Sequence, residues 1–346
     1  MKKIIIGAWI GAFIGVLGSV AVKWWTDNRQ PNFSKTAEIY VYPEMDADSV
    51  LTLIAEKAQV KNLKSLKRSF ENKQVAEYMQ AGHYTVSPSN SSVYVARMLN
   101  NAWQTPVRLT LAGNLRLKSN IAAKISSQLL LDSASVHKAL NDNELLSQYG
   151  FNSRNVFSLL FPATYEIYWT AGIEDVLERQ KQAWDSFWTE DNDRKAKALG
   201  LDRYKVSILA SIVKGESNHE PEMPKIAGVY LNRLKIGMPL QADPTVAYCF
   251  DYKLSRVLNK HLQVDSLYNT YRHAGLPPGP ICVPTKAALE AVLNPDFGGS
   301  WGNGNLYFCA NPDFSGTHVF AKTLSQHNAN ANAFRRELDR RSRQRR

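Results

Sequence analysis

The chain has 346 residues, 44% of them hydrophobic and 21% charged, and carries a formal net charge of +11 from 42 basic and 31 acidic side chains. That length supports two or three compact units with cores of their own, and the composition excludes a largely disordered or low-complexity chain. The positive balance suits an anionic partner such as a membrane surface, a cell-wall polymer or a nucleic acid, without choosing among them.

Lys2 and Lys3 precede an uncharged run, Ile4 to Val22. Its roughly 19 residues, at about 1.5 Å each, just span a hydrocarbon core of ~30 Å. Lys23, Trp24 and Trp25 follow as an interfacial belt, and the leading lysines predict a cytoplasmic N-terminus with everything after Trp25 on the outer side. A cleaved signal peptide is the rival reading, because Ser19-Val20-Ala21 has the small-x-small form, but the apolar core exceeds the usual ~7–15 residues. Thr26 to Thr36 reads as a polar spacer.

Beyond the spacer, "AEIYVYP" alternates like a strand, "DADSVLTLIAEKA" has an acidic N-cap and helical spacing, "AGHYTV" is a strand, "SSVYVARMLNNAW" a helix and "TPVRLTL" a strand. Together they predict a small α+β module. From Asn120 to Tyr204 the pattern is mostly helical, with Ile121, Ile125 and Leu129 at four-residue steps, interrupted by "FSLLFPATYEIYW". After Tyr204 short helices alternate with loops rich in Pro, Gly and Asn, and "NLYFCA" and "THVFA" read as late strands. The tail "RRELDRRSRQRR" is expected to fray into a solvated basic arm. Cys249, Cys282 and Cys309 match no zinc spacing; as an odd number they permit at most one internal disulfide, and buried thiols are the simpler reading.

One helix stands out chemically. Val206, Leu209, Val213 and Glu216 recur at steps of three, four and three, so a carboxyl shares the stripe that faces the core. Partial desolvation disfavours its charged form and should raise its pKa above the ordinary ~4.3, which suits a general acid. The plain alternative is an exposed glutamate at a frayed helix end. Lys214 points elsewhere around the helix, and Gly215 leaves room beside the carboxyl for an approaching sugar ring.

The neighbouring stretches supply polar and aromatic groups. Pro224, Ile226, Val229, Tyr230 and Leu234 form an amphipathic helix that Gly237 ends, and "LQADPTV" turns into another helix with Asp243 as N-cap and Pro244 at its first position. Gln241 and Thr245 flank that cap with short polar groups. "YNTYRHAGLPPGPICVP" packs Tyr268, Asn269 and Tyr271 on a stiff loop, as a carbohydrate cleft requires, although each group could equally serve a turn. Absent HExxH, GxSxG and phosphate-loop motifs argue against a metal hydrolase, a serine hydrolase and a nucleotide site. The basic tail lacks interleaved aromatics, so no nucleic-acid partner is expected.

The motifs "ASIVKGES", "VYLNRLKIGMPLQADPTVAY", "YNTYRHAGLPPGPI" and "HVFAKTLSQHN" resemble, in order and spacing, those of the YceG-like (MltG) family of endolytic murein transglycosylases. The resemblance implies an α+β fold: a tail at 1–3, a transmembrane helix at 4–22, a linker at 23–36, a LysM-like α+β module at 37–110, a mixed α/β catalytic domain with a helical insert at 111–334 whose core is 201–328, and a basic tail at 335–346. It implies cleavage of the MurNAc-β-1,4-GlcNAc bond to leave 1,6-anhydro ends, with Glu216 as the catalytic residue. Gln241, Asp243, Thr245, Tyr248, Asn269 and Tyr271 are the candidate substrate-binding residues, and no metal or cofactor is expected. The implied partners are peptidoglycan strands, inner-membrane lipid and peptidoglycan synthases, with the catalytic domain on the periplasmic or outer side. Lys214-Gly215 stands where the family has Glu-Lys, Ala163 where it has Asp, and Gln326 where it has Glu. Two rival readings remain: a muramidase using Glu216 and Asp243 with water, and a non-catalytic wall-binding scaffold.

Overall fold

The computed structural model describes the backbone of residues 2–113 and 115–344, and the side chains of 15–113 and 115–344. The chain divides into two compact units, one comprising Met1–Leu109, Gln128–Leu130 and Glu166–Ala171, the other Thr110–Ser127, Leu131–Tyr165 and Gly172–Arg346.

The first unit is built from α1 (Lys2–Asn28), β1 (Ala37–Val41), α2 (Ala47–Lys57), α3 (Leu63–Asn72), α4 (Val75–Tyr78), β2 (Gly82–Val86) and α5 (Ser92–Asn100). β1 and β2 pair antiparallel from Ala37 opposite Val86 to Val41 opposite Gly82. The alternation read from the sequence follows the pleat: Ala37, Ile39 and Val41 are buried while Glu38 and Tyr40 face out. Ile54, Leu66, Tyr84 and Leu99 close over the inner face, and Asp46 caps α2 by accepting from Ser49 N at 2.7 Å.

The stretch from Thr26 to Thr36 departs from the expected spacer. Asp27 is buried and accepts from Ser65 Oγ at 2.6 Å and from Arg68 Nε at 2.7 Å. Asn32 donates to Asn62 O at 2.9 Å and Ser92 Oγ at 2.8 Å, and Phe33 is fully buried in the core. Polar composition suggested solvent, but these polar groups are spent on partners inside the fold. Among the described residues no helix is long and apolar enough to cross a membrane. The expected span at 4–22 falls within α1, and its side chains through residue 14 lie outside the described residues.

β3 (Val107–Thr110) and, further along, β4 (Thr164–Ile167) form a second two-stranded sheet. The second unit is mostly helical: α6 (Lys118–Ser126), α7 (Ser133–Ala139), α8 (Asn143–Ser147), α9 (Val156–Leu159), α10 (Ile173–Phe187), α11 (Glu190–Ala198), α12 (Arg203–Glu216), α13 (Met223–Lys235), α14 (Asp243–Tyr248) and α15 (Lys286–Leu293). β5 (Tyr307–Ala310) and β6 (His318–Ala321) then pair antiparallel, and α16 (Leu324–Gln344) ends the chain. The architecture is α+β. The mixed α/β arrangement expected for the catalytic part gives way because each sheet has two strands, too narrow to carry helices on both faces.

α12 is the centre of the second unit. Val206 through Val213 are all buried, and the helix packs against α13, α14 and α15. A helix that is apolar nearly all round is a core helix, so the stripe seen in the sequence is wider in fact. The basic tail is helical through Gln344, with Glu337 accepting from Arg340 at 2.7 Å and Arg341 at 2.8 Å; the last two residues lie outside those described. All three cysteines are free, and Cys282 is buried with its thiol donating to Ser211 O at 3.4 Å.

Candidate active site

Asp202 starts α12 by accepting from Lys205 N at 2.8 Å, and the helix runs without interruption to Glu216, where Ser217 turns extended. The carboxyl therefore sits at the negative end of a buried helix, which opposes ionisation. Ser211, one turn and a half earlier, accepts from Ile281 N at 3.0 Å and so lays the Pro-rich loop along α12. Lys214 is engaged with Asn218 at 2.5 Å, away from the acid.

α13 brings Tyr230 and Arg233 to the same place. Tyr230 is 1% exposed and donates its hydroxyl to Glu216 Oε1 at 2.5 Å. Arg233 donates Nε to Leu306 O at 2.7 Å and Nη1 to Leu240 O at 2.5 Å. These two residues are three apart on one helix face, in a stripe that otherwise belongs to the core; a cation in such a stripe was the signal available in the sequence.

The loop before α14 holds the opposite wall. Gln241 adopts a left-handed backbone, φ +50°, and its N–H donates to Thr270 O at 3.1 Å. α14 begins at Asp243 itself, with Ala242 in the cap position, so the N-cap expected of Asp243 is not made. Its carboxylate instead accepts from Tyr271 OH at 2.6 Å. Gly215 also serves a purpose other than the one its size suggested. A Cβ there would lie 2.7 Å from Pro244 Cβ and 3.0 Å from Cγ, so the space beside the carboxyl is taken by α14 rather than left for a sugar.

Glu216, Tyr230, Arg233, Gln241, Asp243 and Tyr271 line one cleft of about 330 Å³, completed by Tyr307 and Phe308 of β5 and Leu324 and His327 of α16. Of the residues singled out in the sequence, Glu216, Gln241, Asp243 and Tyr271 meet here. Thr245 and Asn269 do not reach it: both are fully buried. Thr245 Oγ1 donates to Ala242 O at 2.7 Å, and Asn269 donates to Leu262 O at 2.9 Å and Val264 O at 2.8 Å, so they build the loops that carry Gln241 and Tyr271. Tyr248 packs its ring on Tyr268, 4.7 Å between centroids, outside the cleft lining.

Burial pushes the Glu216 carboxyl up to about 7; the Asp243 charge adds to this, while the Tyr230 hydrogen bond and the Arg233 charge oppose it. The acid is thus poised to hold a proton near neutrality and to give it up. Burial lowers the pKa of Arg233 without neutralising a guanidinium, so a cation faces the acid. Beneath the β5 wall, Glu222 Oε2 lies 2.8 Å from His318 Nδ1 and its other oxygen accepts from His318 N at 2.6 Å. Phe308 rests edge-on against both His318 and Tyr230. This pair, a buried carboxyl and a partly buried imidazole unmarked by any local pattern, fixes the hairpin against α13. Among the described residues no cluster of His, Cys, Asp and Glu could hold a metal ion.

A carboxyl that holds its proton near neutrality, set among tyrosine hydroxyls, an arginine and ring faces in an open cleft, is the equipment of an acid–base enzyme. The chain belongs to the YceG-like family, whose model matches residues 39–333. It is 30% identical over 311 residues to the endolytic murein transglycosylase of Bacillus subtilis strain 168, covering 85% of this chain and 84% of that protein. It is also 30% identical over 176 residues to the protein of that name in Streptococcus pneumoniae strain D39, covering 49% of this chain and 31% of the pneumococcal one. A YceG-like protein of Listeria monocytogenes, known from a crystal structure, superposes with a TM-score of 0.56 at 26% identity, covering 85% of this chain and 98% of that one.

Proposed function

We propose that the protein is an endolytic peptidoglycan lytic transglycosylase that cuts the MurNAc-β-1,4-GlcNAc bond within glycan strands. The observation that carries the mechanism is the partly buried Glu216 carboxyl at the cleft wall, pushed up to about 7 by desolvation and held by one hydrogen bond from Tyr230. Its proton passes to the glycosidic oxygen as the C1–O bond breaks and the GlcNAc side departs. Asp243, kept in place by Tyr271, offers a negative charge to the oxocarbenium-like centre. The new Glu216 carboxylate is stabilised by the Tyr230 hydroxyl and the Arg233 charge. It then takes the proton from the muramoyl C6 hydroxyl as that oxygen closes on C1, and the 1,6-anhydro ring forms without water.

A hydrolytic muramidase is the second reading, favoured by the presence of two carboxyls, Glu216 and Asp243, in one cleft. Mass spectrometry of digested, purified strands separates the two. Anhydro-muramic ends are expected from the wild type and none from Glu216→Gln; reducing muramic ends would refute the transglycosylase mechanism, and undiminished cutting by the variant would refute the site.

The uncharged run at 4–22 supports a single-pass anchor, with the cleft on the outer face of the cytoplasmic membrane. Its substrate there is nascent strand, whose elongation a cut would terminate beside peptidoglycan synthases. In this reading the first unit acts as a LysM-like module on the same polymer. Protease protection of the second unit in sealed spheroplasts would contradict the topology.

A further inference from the structure

His327 lines the cleft and has no role in the proton transfers above. Its ring stacks on Tyr307, 5.4 Å between centroids and 25° between planes, and Tyr307 in turn carries Arg233 at 5.5 Å from its centre. Nδ1 is enclosed by protein and has no hydrogen-bond partner, which leaves Nε2 as the nitrogen that can meet a ligand. Burial, and the nearby charges of Arg233 and Arg335, hold the imidazole below its ordinary pKa, so it is neutral at pH 7. A neutral imidazole carries one proton, and an orphaned buried N–H is rarer than an orphaned acceptor. The proton therefore belongs on Nε2, and the ring presents a single donor to the cleft.

The apolar side chains that line the cleft come from the same elements as His327 and its stacking partner: Leu324 lies one turn earlier on α16, and Phe308 follows Tyr307 on β5. One N–H beside a hydrophobic surface matches a carbonyl with a methyl attached. A glycan of N-acetylated sugars offers that combination on every residue, whereas a hydroxyl would leave the apolar surface uncovered. We propose that His327 contacts substrate directly, donating its Nε2–H to the carbonyl oxygen of a 2-acetamido group whose methyl lies against Phe308 and Leu324. This rests on the glycan-cleaving reading, and it names the group by which the cleft recognises its polymer.

The test uses the full-length protein on fully acetylated strands and on the same strands N-deacetylated, with variants H327F, which keeps the stacking ring, H327A, and H327Q, whose amide restores a donor near Nε2. On acetylated strands H327F and H327A should lose about 10- to 100-fold in kcat/KM and H327Q no more than about threefold. On deacetylated strands the wild type should already be slow, and H327F should cost no more than about threefold further. Equal fold losses on the two polymers, wild-type activity in H327F, or an H327Q as impaired as H327A would overturn the proposal. Strand binding to the Glu216→Gln protein, with and without each His327 change, reads the same contact independently of cleavage. A wild type that cuts nothing would thus strike the catalytic reading, while unchanged binding across the His327 series would strike this one.

Discussion

Glu216→Gln should make the folded protein more stable above pH 7 while abolishing cleavage. The amide keeps the shape and still accepts from Tyr230, so the principal change is loss of a charge. In the wild type the folded-state pKa is raised from 4.5 to about 7. A raised pKa means that the stability contributed by the protonated form is complete below the unfolded value and is lost as pH rises through the folded one. The penalty grows between about pH 4.5 and 7 and then levels off; a shift of that size corresponds to about 3 kcal/mol at the plateau. Urea unfolding of both proteins at pH 5 and pH 8 checks this. The variant should lead by less than about 1 kcal/mol at pH 5 and by roughly 3 kcal/mol at pH 8. A difference independent of pH, or a less stable variant at pH 8, would refute the claim that the carboxyl is desolvated and protonated.

Wild-type cleavage should decline as pH rises through about 7, and substitutions around the acid should move that limb in opposite directions. Tyr230→Phe removes an interaction that lowers the pKa, so its limb should lie at higher pH; Asp243→Asn removes a charge that raises it, so its limb should lie lower, and pH–rate profiles read both. Gly215→Ala forces a methyl against the rigid Pro244 ring. It should cost about 1–3 kcal/mol in unfolding and at least about tenfold in kcat/KM, by displacing Asp243. Arg233→Ala strands the carbonyls of Leu240 and Leu306, and a loss of about 2–4 kcal/mol is expected in denaturant melts.

The parts of this molecule governed by local rules could be read directly from its residues. The period of α12 placed Glu216 on a buried stripe, Gly237 sits just past α13 with φ +71°, and the alternation of β1 matches its pleat. The misreadings share a cause. Asp243 and Gly215 look like a cap and a gap when only their neighbours in sequence are considered, yet Tyr271 and Pro244 arrive from elsewhere and give them other work. Thr26 to Thr36 is polar because Asp27 and Asn32 satisfy partners up to 60 residues away, and nothing local announces that. Tyr230, Arg233, Glu222 and His327 escaped attention as site residues because the cleft unites four helices, two loops and a hairpin. Tyr230 and Arg233 share a helix face, but only tertiary packing brings that face to Glu216 and His327.

Arg233 has a mechanical consequence. Its guanidinium ties the backbone of Leu240, just before Gln241, to that of Leu306, just before Tyr307, with two short bonds. One side chain thus braces both banks of the cleft, and the spacing across which Glu216 and Asp243 act is held by the same cation that faces the acid.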